Sequence, residues 1–238
     1  MRQFVLLIGC VWIAACDSTL TVAPVTSERE LPPPDTKTIL IDGSHDGGVW
    51  WFPQAGPFDQ DAPHQGKALA DALRGLGYRV DEVGRASFIT ADRLRPYPVV
   101  IRAGAYGSYT ASELAAYSSY ASTGHPLVLL SEFLRPNQHD QLAESFGILL
   151  TDIFTDSVKT FAAHPLTRDM KTIPYIAGSV LGPGSSPSIR PLAWLSGGQV
   201  VMGLVERDTL RVFFAGDTNG FEVFPQPFVK NLIAWAFP

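Results

Sequence analysis

Four short strand-like runs constrain this chain more than any other feature. They read TILID (38–42), YRVDEV (78–83), PVVIRAG (98–104) and PLVLLSEF (126–133). The first is rich in β-branched residues. The last is apolar on both faces, as strands covered by helices above and below are. Between the runs lie helical signals. Asp61 can cap a helix with Pro63 in its first turn; Leu69, Leu73 and Leu76 recur at helical spacing, and Gly77 ends it. TASE (110–113) is a capping box for a helix through Ala121, closed by Gly124. Asn137 can cap another, running to about Phe146 and closed by Gly147. The pattern then changes. PLAWLSGGQVVMGLVERDTLRVFFAGD (191–217) reads as three strands joined by turns at Gly197-Gly198 and near Asp208, and Phe228, Leu232, Ile233 and Trp235 mark a final helix. The expectation is an α/β three-layer sandwich: a mostly parallel sheet with an antiparallel C-terminal extension.

In such a sheet, ligands bind beyond the carboxyl ends of the strands. The loops after Asp42, Gly104, Phe133 and Asp217 are therefore expected to share one rim. The first of them, GSHDGGVWWF, supplies Ser44, His45, Asp46, Trp50 and Trp51. With Asp42, Arg102 and Asp217 these are the candidate ligand-binding residues.

The N-terminus has a different character. Arg2 precedes an apolar stretch from Phe4 to Ala15 that is too short to span a bilayer comfortably, which is the shape of a secretory signal. It ends in IAAC (13–16), which resembles a lipobox with Cys16 as the acylated residue. LIGC (7–10) also fits but leaves too short an apolar region. Residues 17–36 are polar and contain LPPPD, the composition of a flexible tether. The expected organisation is a lipoprotein signal peptide over 1–16, a tether over 17–36 and one α/β domain over 37–238. The domain would be exported and held at a membrane of the bacterial cell envelope through its acylated N-terminus. Both cysteines, Cys10 and Cys16, fall within the leader, so the domain has no disulfide, thiolate metal site or cysteine nucleophile of its own. A net charge of −5 without any basic run argues against nucleic acid as a partner.

The order of these pieces resembles the class I glutamine amidotransferase-like fold, a flavodoxin-like sandwich, in its uncharacterised bacterial branch. The resemblance rests on Asp42-Gly43-Ser44-His45 after the first strand, on YTASELAAYSSYASTGHPLVLL (109–130), on HPLT (164–167), and on VFFAGDTNGF with NLIAWAF near the C-terminus. It implies a nucleophile on a sharp turn after the fourth strand. Here that turn reads Leu130-Ser131-Glu132-Phe133-Leu134, with neither cysteine nor glycine, and His164 is the last histidine. The amidotransferase chemistry is read as lost, and no cofactor is expected.

Three constellations remain open. Ser44 or Ser131, with Glu132 nearby and a base from His45, His139 or His164, could carry out hydrolysis. His45, Asp46, Glu132 and Asp217 could hold a metal, although no HxH or HExxH spacing supports one. Trp50 and Trp51 could stack on a sugar or anchor a protein, or fold back as a lid over the sheet edge. His164 has a structural alternative, holding its loop by hydrogen bonding, and His64 and His139 are expected to be solvated. The leading reading is an envelope-tethered, non-catalytic domain binding a small molecule, a glycan or a partner protein at the rim. The alternatives are a hydrolase, or an accessory component of a transport or envelope assembly complex.

Overall fold

The computed structural model describes residues 37–85, 87–104, 107–134, 138–220 and 227–237. The leader, Cys16, the tether and Asn137 lie outside the described residues.

Every residue of β1 (Thr38–Asp42) and β3 (Val99–Ala103) is buried, as two-sided apolar strands require. β1 pairs in parallel with β2 (Arg79–Val83) on one side and with β3 on the other. β3 leads in parallel to β4 (Leu127–Leu130), and β4 to β10 (Leu210–Ala215). Antiparallel β9 (Val200–Arg207), β8 (Ile189–Trp194) and the short β6 (Thr160–Phe161) complete the sheet, of order β2-β1-β3-β4-β10-β9-β8-β6. The meander expected over 191–217 is thus the antiparallel extension.

Alternation along the strands divides the core in two. Ile39, Ile41, Ile101, Val128 and Phe213 face a layer containing α1 (Lys67–Gly75) and α5 (Phe228–Ala236). Leu40, Val100, Leu129 and Phe214 face α2 (Ala91–Leu94), α3 (Ala111–Ser122) and α4 (Gln141–Ser145). The capping box forms as expected: Thr110 Oγ1 accepts from the Glu113 amide at 3.2 Å, and Glu113 Oε2 accepts from the Thr110 amide at 2.9 Å.

Three expectations need correction. α1 begins at Lys67, well past Asp61 and Pro63, because the chain before it packs as a loop against the helix start: a Cβ on Gly66 would lie 2.0 Å from the Trp50 ring. Leu76 is the C-cap of α1 and is exposed. α4 is capped by Asp140, whose Oδ1 accepts from the Ala143 amide at 3.1 Å.

One element has no clear sequence signal. β5 (Leu150–Val158) and β7 (Ile173–Leu181) form a separate antiparallel ribbon. Its register shifts twice, and Asp152 and Ala177 adopt φ of 53° and 57°. Such bulges break the two-residue alternation by which a strand is read.

Candidate functional site

Asp42 is in register with Arg102, and Leu130 is in register with both Ala103 and Ala215. The ends of β1, β3, β4 and β10 are therefore level, and the loops after them share the expected rim. Pleating then splits the rim residues between the two faces of the sheet. Asp42, Arg102 and Ser131 continue the alternation of Leu40, Val100 and Leu129 towards α3. Glu132 and Asp217 continue that of Leu130 and Ala215 towards the opposite face.

The cluster on the α3 side is buried and tightly paired. Arg102, with no exposed surface, donates to Gly104 O at 2.8 Å and to Asp140 Oδ2 at 2.6 Å, and reaches Ser131 Oγ at 3.4 Å. Burial works against the charge on Arg102, but Asp140 beside it keeps the guanidinium more firmly protonated than usual. Ser131 donates its hydroxyl to the same carboxylate. Asp42 accepts from the Ser44 amide at 2.8 Å and from the Tyr117 hydroxyl. Next to it, the His45 ring stacks on Tyr109 with centroids 4.0 Å apart, and its Nε2 lies 2.9 Å from Glu113 Oε1. Burial alone would raise the Glu113 carboxyl, but hydrogen bonds from His45, Thr110 and the Ile89 amide hold it down at about 2. The capping residue of α3 is thus also the partner of His45.

On the opposite side, β7 lies across the tip of β10. The Ser179 amide donates to Gly216 O at 2.8 Å, the Ser179 hydroxyl to Glu132 O at 3.0 Å, and the Ile176 amide to Asp217 Oδ2 at 2.7 Å. The approach is close: a Cβ on Gly216 would come within 1.9 Å of Ser179 O. Glu132 accepts from the Phe133 amide at 3.0 Å and the Thr218 hydroxyl at 2.5 Å. Burial pushes the Asp217 carboxyl up to about 6, although the Ile176 and Asn219 amides pull the other way. The turn after β4, where the amidotransferase nucleophile would stand, is thereby closed off: Ser131 has no exposed surface and Glu132 only 2%.

The long loop after β1 folds inward. Asp46 accepts from the amides of Gly48 and Trp50 at 2.8 and 3.0 Å, which turns the loop and consumes its amides. Burial raises the Asp46 carboxyl, and those amides oppose the rise. Trp50 is 1% exposed and Trp51 8%, so neither ring offers a stacking platform to solvent. Trp51 carries the Arg85 guanidinium 4.2 Å over its ring. Of the two alternatives, folding back describes Trp50, which joins the core with Leu69 and Val80. His64 is also buried, 3.3 Å from Glu82 Oε2, where burial lowers its pKa. His139 is exposed, as expected.

The remaining candidates do not converge. Ser131 and Glu132 point to opposite faces because they are adjacent. His164 accepts from the Leu166 amide at 3.2 Å and so holds its own loop. Its charged surroundings are Arg190 and Glu206 on β8 and β9, beside the start of β10 and away from the rim. No serine–histidine pair forms between them. Among the described residues, no three His, Cys, Asp or Glu side chains gather as a metal site. His45 is turned to Glu113, Asp46 to backbone amides, and Glu132 and Asp217 lie beneath β7. The residues that organise the rim and were not anticipated are Tyr109, Glu113, Tyr117, Asp140 and Thr218. Of these, Glu113 was visible only as half of a capping box.

No protein-family model and no curated protein sequence matches the chain. Solved structures do resemble it. A putative ThuA-like protein from Bacteroides uniformis is 16% identical, with 90% of this chain and 94% of that one covered and a TM-score of 0.55. The N-terminal domain of mmIFT52 is 15% identical, with 84% and 95% covered and a TM-score of 0.60. A putative GMP synthase component from Thermoplasma acidophilum is 12% identical, with 84% and 96% covered and a TM-score of 0.51. At such identities the likeness concerns the fold: this chain has the amidotransferase-like, flavodoxin-like α/β architecture.

Proposed function

We propose that the chain is an envelope-tethered, non-catalytic amidotransferase-like domain that binds its ligand at the part of the strand-end rim left open, between the loops after β1 and β3. The observation that carries this reading is the state of the turn after β4. Its serine hydroxyl is spent on Asp140, and β7 covers the adjoining Glu132 and Asp217. A nucleophile needs a base within reach and access for substrate. The rim over β1 and β3 is different: Gly47 and Ser108 are exposed, and Ser44, His45 and Gly107 are half-exposed. Large apolar side chains are also exposed in neighbouring segments. Phe52 (58% exposed) and Phe88 (72%) stand in the loops after β1 and β2, and Ile153 and Ile176 project from the ribbon at the β10 end. The membrane tether rests on the leader sequence and its cysteine.

The test uses thermal shifts on the full chain with a panel of sugars, amino acids and short peptides, repeated on Ser108→Arg, together with an esterase and amidase panel on wild type and Ser131→Ala. The expected result is a ligand that stabilises wild type but not Ser108→Arg, and no turnover. Turnover abolished by Ser131→Ala would establish the hydrolase instead. A panel without any shift overturns the small-ligand form of the reading.

A further inference from the structure

Three polar atoms beneath the open part of the rim are fully buried and have no hydrogen-bond partner: Ser44 Oγ, Arg102 Nε and Tyr109 Oη. Native proteins rarely leave such atoms unpaired, so each calls for a physical explanation, of which a bound water or ligand is one. Here all three belong to residues around one carboxylate. Asp42 accepts from the Ser44 amide, stands in register with Arg102 and holds Tyr117, whose ring meets that of Tyr109 edge-on at 6.2 Å. Tyr109 in turn lies in the fields of Arg102 and Asp42.

We infer that Ser44, Arg102 and Tyr109 form a buried niche for one oxygen atom of a neutral, hydroxylated ligand, with the His45 ring as its cover. The niche deepens the binding reading given above and rests on it. A hydroxyl suits the three groups together. It accepts from Arg102 Nε, which can only donate, and exchanges donor and acceptor roles with the Ser44 and Tyr109 hydroxyls. An anion suits them poorly. Asp140 already balances Arg102, and Asp42, Asp46 and Glu113 leave the surroundings rich in carboxylates. His45, beside the niche, is partly open, at 14% side-chain exposure. It covers Tyr109 by stacking and is held there by Glu113. Glu113→Gln weakens that hold, so ligand exchange is expected to quicken.

The experiment is saturation-transfer NMR and calorimetric titration of the full chain with methyl α-D-glucoside, and with acetate as the anionic counterpart. Wild type should bind the glycoside and not acetate. Tyr109→Phe, which keeps the ring and its packing, should bind the glycoside about tenfold more weakly, the loss of one buried hydrogen bond. Glu113→Gln should bind it with faster exchange. Equal affinity in Tyr109→Phe, or preference for acetate, overturns the niche. In that event, a ligand response that Ser108→Arg still removes would leave the wider rim reading standing. No response to any ligand removes both. Unfolding supplies an independent readout. An orphaned hydroxyl costs stability, so its deletion would leave Tyr109→Phe as stable as wild type or more so. That is the result expected without ligand; a less stable Tyr109→Phe would show the hydroxyl already paired within the protein and overturns the niche.

Discussion

At the scale of single residues, the molecule is governed by where charge is buried. Arg102 and Asp140 are each 1% exposed in their side chains and 2.6 Å apart. Their attraction does little more than offset the cost of removing both from water, so the pair is worth most as a constraint on geometry. Removing one member is another matter. Asp140→Ala strands the Arg102 charge and also uncaps α4, and should cost about 3–5 kcal/mol in urea unfolding. The paired change Arg102→Met with Asp140→Leu should recover much of that loss, because it removes the stranded charge together with its partner. If the double variant is no better than the single one, the cap rather than the charge dominates. The sequence displayed both residues, and Arg102 was legible there as a rim candidate but without its partner. Asp140 lies 38 positions away, and only folding makes it the partner.

At the scale of elements, the long loop after β1 does most to shape the rim. It is anchored where Trp50 fills the space above Gly66 and His64 meets Glu82 beneath it. A side chain at Gly66 would collide with the buried indole, which has nowhere to move. Gly66→Ala should therefore destabilise by about 1–3 kcal/mol, the usual cost of overpacking. It should also shift tryptophan emission towards that of a solvent-exposed ring. A variant of native stability and unchanged emission would show that the loop is not held this way. The sequence left the two tryptophans open between surface binding and folding back, because they follow glycines in a polar loop. Local composition carries no information about the apolar cluster of α1 and β2 residues that Trp50 joins. The ribbon of β5 and β7 was illegible for a related reason: its bulges at Asp152 and Ala177 spoil the alternation, and its role as a cover exists only against the tip of β10.

At the scale of the whole molecule, the buried carboxyls give stability a defined pH dependence. Asp217, raised to about 6, binds its proton more tightly in the folded state than in the unfolded one. Its contribution is present in full below about pH 4 and is lost as pH rises through 6. Glu113, held at about 2, works in the opposite sense: its contribution is present above about pH 4.5 and lost as pH falls towards 2. Glu82, pushed up to about 7 by burial despite Arg74 at 2.9 Å, adds to the Asp217 trend. His64 beside it is lowered by burial and opposes it. Asp217 therefore gives the clearest test. Relative to Asp217→Asn, wild type should lose about 2–3 kcal/mol of unfolding free energy between pH 4 and pH 7. Parallel stability curves for the two proteins across that range would show that the Asp217 carboxyl is not raised.

The sequence by itself determined the architecture of the main sheet and its helical layers. Two-sided apolar runs demand helices on both faces, the capping box fixes the start of α3, and tight turns at Gly197-Gly198 and Asp208 fold the last three strands back on one another. These are local signals, set by steric and hydrogen-bonding rules that act within a few residues. It also placed Asp42, Ser131, Glu132 and Asp217 at one end of the sheet, because a parallel strand always delivers its C-terminal residue to the same rim. The tertiary structure alone decided what those residues do. Pleating sent Ser131 and Glu132 to opposite faces, Asp140 came from a distant helix start to occupy the serine, and β7 covered the tip of β10. Each of these depends on a partner far away in the chain, and a hydrogen bond or a desolvated charge has no signature in either partner's own neighbourhood.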